Sequence, residues 1–274
     1  MKRFALLALF AFVAAPAQAQ FNINLNRLLD IGKNLKDATN EVDEKQEVQI
    51  GGELAAKLLG ASPLTPNEGL QRYVNRVGRW LASQTERPDL PWRFGVLDAP
   101  QVNAFATPGG YIFVTRGLVQ RMKNEAELAG VLAHEIVHVL KKHHLTALQK
   151  NAQLELANTL VGTYNRDSNP QARERLLSAG SELFARGLDK DDELEADRLG
   201  VVIAARAGYD AYGLPSVLQT LQAMNAEDSS VALMFKTHPP PADRLAALEK
   251  LQPTLDAYAA QPQLAARFVD ALKR

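Results

Sequence analysis

The chain has 274 residues, 46% hydrophobic and 23% charged, with 31 Lys and Arg balanced by 31 Asp and Glu. This is a globular composition long enough for a large core, and the even charge offers no footprint for nucleic acid. Cysteine is absent, which excludes disulfides, thiolate metal ligands and a lipoprotein acylated on cysteine.

Met1-Lys2-Arg3, the apolar run Phe4 to Ala15, and Pro16 before Ala17-Gln18-Ala19 have the order of a secretory signal, with cleavage expected after Ala19. About twelve apolar residues are too few to cross a hydrocarbon core of about 30 Å. The mature protein is therefore expected in the periplasm or secreted, either free or peripheral to a membrane. Residues 20 to 45 read as a loosely held arm, and residues 20–274 as a single domain.

Helices are expected from Glu44 to Leu59, ended by Pro63, and from near Asn67 to before Pro88, with Leu70, Tyr73, Val74, Val77, Trp80 and Leu81 on one side. Trp92 to Leu97 and Tyr111 to Thr115 alternate as strands, with Pro108-Gly109-Gly110 turning into the second. Asn124 with Glu127 three residues on resembles a capping box, so a helix should run from near Asn124 to about His144. Further helices are expected at about 146–161, 171–186, 191–207, 211–225, 241–251 and 254–272, the last interrupted by Pro262, and the polar loop at 162–169 is the candidate mobile segment. The fold class is thus α+β, mainly helical, with a small sheet beside the helix that starts at Asn124.

That helix carries His134-Glu135-x-x-His138 in an otherwise apolar run. At four-residue spacing the two imidazoles share a face, and burying them with a carboxylate is unfavourable unless a cation compensates. In zinc peptidases with this motif the histidines are ligands and the glutamate is a general base toward metal-activated water. The site needs a third ligand. Among the carboxylates of Asp191 to Asp197, Glu193 and Asp197 share a face that continues through Gly200 and Val201 to Ala204, small enough to lie against the metal helix. Glu193 is assigned as the third ligand of one Zn²⁺, and Asp197 as the carboxylate that orients a ligand histidine. Asp191 and Glu195 suit solvent.

His143 and His144, with Lys141 and Lys142, read as a basic helix end that complements the macrodipole. His238 is different. It precedes Pro239-Pro240-Pro241, a stiff segment that can aim it at the site as an oxyanion donor or a fourth ligand, and Arg244 follows as a supporting or substrate-carboxylate contact.

These motifs fall in the order of one family. Asn103 to Tyr111, His134-Glu135-x-x-His138, Glu193 to Asp197, and His238-Pro239 with Arg244 resemble the HtpX-like and CAAX-prenyl-protease zinc metallopeptidases, specifically their small exported members, the minigluzincins. The resemblance implies a zincin-like domain with Glu193 as third ligand. The sequence has no apolar run of about 18 residues like those of membrane-embedded members, and none of the helical repeats of larger periplasmic members. Asn103, Tyr111 and Phe113 are the candidate substrate contacts, with Tyr111 to Thr115 read as a sheet edge that pairs with an extended polypeptide. The implied function is a zinc metalloendopeptidase acting on exported or misfolded envelope proteins. The alternative is a non-catalytic zinc-containing holdase or scaffold.

Overall fold

The computed structural model describes residues 42–148, 150 and 187–273. The expected signal, most of the arm, the loop at 162–169, and nearly all of the helices expected at 146–161 and 171–186 lie outside the described residues. Within them the chain is mainly helical with one small sheet.

Helix α1 (Glu44–Ala61) opens on a capping box, with Gln46 N donating to Asp43 Oδ1 at 2.8 Å and Asp43 N to Gln46 Oε1 at 3.1 Å. Helix α2 (Glu68–Ala82) is capped by Asn67, whose side chain accepts from Leu70 N at 2.9 Å. Its buried stripe is Leu70, Tyr73, Val74, Val77 and Leu81. Trp80, expected on that stripe, is instead 51% exposed, although its indole N–H donates to Ala207 O. It lies one position from Leu81 and so turns off the buried face.

Strands β1 (Arg93–Leu97), β2 (Ala104–Thr107) and β3 (Tyr111–Thr115) form a mixed sheet in the order β1-β3-β2. β1 runs parallel to β3 with Arg93 opposite Tyr111, and β2 runs antiparallel with Ala104 opposite Val114. The β2–β3 turn needs its glycines: Gly109 has φ +74°, and a Cβ there would meet Val48 Cα at 2.5 Å. In the order β1-β3-β2, β3 is central, which corrects its expected place at the edge; β2, a strand not expected from the sequence, takes that place. Phe94, Val96, Ile112, Val114, Ala104 and Ala106 form one buried side with α2 and the next long helix. Phe113 belongs to the other side, packed with Ala55 and Leu97 alongside Phe105 and Tyr111.

After a short helix α3 (Arg116–Val119), helix α4 (Glu125–Leu140) is buried over nearly its whole length. Asn124 caps it by accepting from Glu127 N at 2.9 Å, but Glu127 reaches back to Lys123 N at 2.7 Å, so the expected box is displaced by one residue. α4 also stops earlier than expected, at Leu140, because Lys142 takes φ +57°.

Helix α5 (Lys190–Arg206) crosses α4 so closely that a Cβ on Gly200 would lie 3.0 Å from His134 N. Helix α6 (Gly213–Gln222) packs on another side of α4, where a Cβ on Gly130 would come within 2.6 Å of Leu214 N. Helix α7 (Ala232–Thr237), not expected from the sequence, leads through extended His238 to α8 (Pro241–Glu249). The helix expected at 254–272 is broken into α9 (Gln252–Leu255), a 3₁₀ turn (Asp256–Tyr258) and α10 (Ala265–Lys273).

Candidate metal centre

The spacing on α4 brings His134 Nε2 and His138 Nε2 to 3.0 Å. α5 adds Glu193, whose Oε1 is 3.5 Å from His138 Nε2 and whose Oε2 is 3.6 Å from His134 Nε2. The three donor atoms lie within 4.8 Å of one another, and all three residues are buried. Glu193 Oε2 is buried without a hydrogen-bond partner among the described residues. A buried carboxylate that faces an imidazole nitrogen with each oxygen, neither within hydrogen-bond distance, is unfavourable unless a cation fills the gap. Two imidazoles and a carboxylate suit zinc, with a position left open.

Each imidazole has its own support. Asp197 Oδ1 is 2.9 Å from His134 Nδ1, and Arg244 clamps Asp197 through Nε at 2.8 Å and Nη2 at 2.5 Å. Burial pushes the Asp197 carboxyl up, but the Arg244 charge and the His134 contact outweigh it and hold it at about 2. Burial and Arg244 push His134 down, yet Asp197 and Glu193 raise it to about 9 in the metal-free protein. Burial works against the Glu193 carboxylate too, but His238, His134 and His138 together keep it well below the usual range. Burial lowers His138 well below an ordinary imidazole.

The expectation that His143 and His144 form a basic helix end is corrected. The left-handed Lys142 turns the chain back, so His143 is buried with its Nδ1 2.9 Å from His138 Nδ1 and its Nε2 3.2 Å from Glu195 Oε2. Glu195, expected to suit solvent, is only half-exposed and engaged in this contact. His144 lines a small cavity with Glu135, His138 and Glu193, and burial drives its pKa down to about 4. A left-handed lysine has no sequence signature, so the only available hint was the pair of histidines itself.

The same cavity holds Asn103, Ala104, Phe105 and His238. Burial raises the Glu135 carboxyl to about 7, with Glu193 adding to the shift and His134 opposing it. His238 Nε2 is 3.8 Å from Glu193 Oε2, and His238 groups with His134 and Glu135 as a second set of metal-capable donors. Burial holds the His238 ring neutral, down to about 4. Asn103 is buried, its Oδ1 accepts from Ala104 N at 3.0 Å, and its Nδ2 has no partner among the described residues. Tyr111 and Phe113 are not brought to the cavity: both lie on central β3, in the cluster on the sheet side that meets α1.

The sequence profile of peptidase family M48 matches residues 68–252, a span that contains all of these groups. The chain belongs to peptidase family M48. Curated relatives are named as proteases: the chain is 32% identical over 207 residues to the Beta-barrel assembly-enhancing protease of Escherichia coli (strain K12), covering 73% of this chain and 42% of the relative. The protein of that name from Yersinia pestis is 32% identical over 240 residues, covering 85% of this chain and 49% of the relative. The Mitochondrial metalloendopeptidase OMA1 of Schizosaccharomyces pombe is 29% identical over 184 residues, covering 66% of this chain and 52% of the relative. The chain spans about half the length of these relatives. M48 membership places a peptidase-family domain over these groups, and its His/Glu donor set is suited to zinc.

Proposed function

We propose that the protein is a zinc metalloendopeptidase in which His134, His138 and Glu193 hold one Zn²⁺ and Glu135 is the general base. The observation that carries the reading is Glu193 Oε2, without a hydrogen-bond partner among the described residues, beside the two facing Nε2 atoms, with Glu135 in the adjoining cavity. Zinc, when bound, supplies the Lewis acidity that acidifies a water molecule and polarises the scissile carbonyl. Glu135, with a carboxyl near pH 7 in the metal-free protein, is matched to accept a proton and pass it to the leaving amine. Asp197 holds the ring of His134 through Nδ1 while Arg244 keeps Asp197 ionised. His238 serves the site either as a hydrogen-bond donor to the developing oxyanion or as a fourth donor closing over the metal at rest.

Edge strand β2 takes over the substrate role first given to β3. An extended polypeptide adding to β2 would pass Ala104 and Phe105 at the cavity, within reach of Asn103 Nδ2, which has no partner among the described residues. This favours unfolded or loop segments as substrates. With the signal at residues 1–19, such substrates are exported or misfolded envelope proteins met in the periplasm. Among the described residues no helix is long and apolar enough to cross a membrane. A holdase or scaffold built around a structural zinc has no use for Glu135 in the cavity. The test is zinc analysis coupled to casein cleavage: one zinc per chain and chelator-sensitive cleavage are expected. One zinc with no cleavage of any unfolded substrate would leave the scaffold.

A further inference from the structure

We propose that His143 is a positioning residue for the metal centre, accepting the Nδ1–H of His138 on its own Nδ1 and passing the contact on to Glu195. The inference rests on the reading of His138 as a ligand and goes beyond it. The two Nδ1 atoms are 2.9 Å apart, so one must carry the proton and the other must be bare. His138 directs Nε2 at Glu193, 3.5 Å away. A neutral His138 that offers Nε2 to a cation therefore carries its proton on Nδ1, which makes His143 Nδ1 the acceptor. The remaining His143 proton then sits on Nε2, and that nitrogen faces Glu195 Oε2 at 3.2 Å and Asp192 Oδ1 at 3.6 Å. One chain of contacts thus sets both tautomers.

The backbone is shaped for this contact. Had α4 continued, five residues would have carried His143 about 140° round from His138. Left-handed Lys142 cancels that rotation and buries the ring. The two ligand histidines are consequently supported by different chemistry: His134 by a carboxylate clamped by Arg244, His138 by a second imidazole backed by partly exposed carboxylates. Glu195 and Asp192 thereby gain a purpose that a solvated helix end would not give them.

The experiment measures zinc affinity by competition with a chelator for the parent, His143→Leu and His143→Gln, together with the melting temperature of each metal-free chain. Glutamine can still accept the Nδ1–H, whereas leucine cannot. His143→Leu is expected to bind zinc about 10–100-fold more weakly and His143→Gln to recover to within about threefold of the parent. A leucine variant with parental affinity, or a glutamine variant as weak as leucine, would overturn the proposal. Nitrogen-15 histidine spectra of the zinc-loaded parent give an independent reading that needs no variant: His138 protonated on Nδ1 and His143 on Nε2 supports the relay, and a protonated His143 Nδ1 overturns it. A parent that binds no zinc removes the metal reading as well, whereas a parent with one zinc and an unaffected leucine variant removes the relay alone.

Discussion

Replacing Glu135 with glutamine should cut cleavage by orders of magnitude and yet stabilise the metal-free protein at neutral pH. The folded carboxyl sits near 7 against a reference of 4.5, raised first by burial and then by Glu193. The folded state therefore binds more protons than the unfolded state between those values, so stability is full below 4.5, falls as pH rises through 7, and stays low above it. At about 1.4 kcal/mol per unit, the ionised Glu135 costs the metal-free fold about 3 kcal/mol at about pH 8. Glutamine carries no charge at any pH and escapes that cost. Urea unfolding of chelator-stripped parent and Glu135→Gln should show the variant more stable by about 3 kcal/mol at about pH 8 and nearly equal at about pH 4. In the zinc-loaded proteins the gap should shrink, because a cation beside the carboxylate compensates its charge. Cleavage should fall by about 10²- to 10⁴-fold with zinc retained. An equal gap at both pH values, or a less stable variant at the higher one, would refute the reasoning.

Two further substitutions probe the packing around the centre. Asp197 is held at about 2 against a reference of 3.8, so its contribution of about 2 kcal/mol is present above 3.8 and lost as pH falls through about 2. Asp197→Asn should flatten that acid-limb dependence in pH-titrated unfolding, and at neutral pH should cost about 3–5 kcal/mol by leaving Arg244 buried without its carboxylate. Gly200→Ala should destabilise by up to about 2 kcal/mol in urea unfolding, since pressing its Cβ on the His134 backbone costs about 1–3 kcal/mol against a helix-propensity gain of about 1 kcal/mol. A more stable alanine variant would show that the α4–α5 crossing has slack.

Elements with a strong period and an explicit cap were legible in the sequence. Asn67 and Asn124 marked the starts of α2 and α4, and β3 was read to its end residues. β2 escaped because Ala-Phe-Ala-Thr has neither β-branched alternation nor length; it is a strand because β3 lies beside it. That omission also misplaced the sheet edge and drew Tyr111 and Phe113 into the substrate contacts. The grouping of His134, His138 and Glu193 was legible because four-residue spacing is local geometry and the small face through Gly200 allows a close helix crossing. His143 was not, since its direction depends on one left-handed residue that carries a side chain. α7 was missed for a related reason: a six-residue helix is too short to show a period.

The central claim is most directly tested by zinc stoichiometry in two neighbouring variants measured at saturating zinc. The parent and Glu195→Ala should each hold one zinc per chain, while Glu193→Ala should hold well under one. Zinc retained in Glu193→Ala and lost in Glu195→Ala would contradict the account.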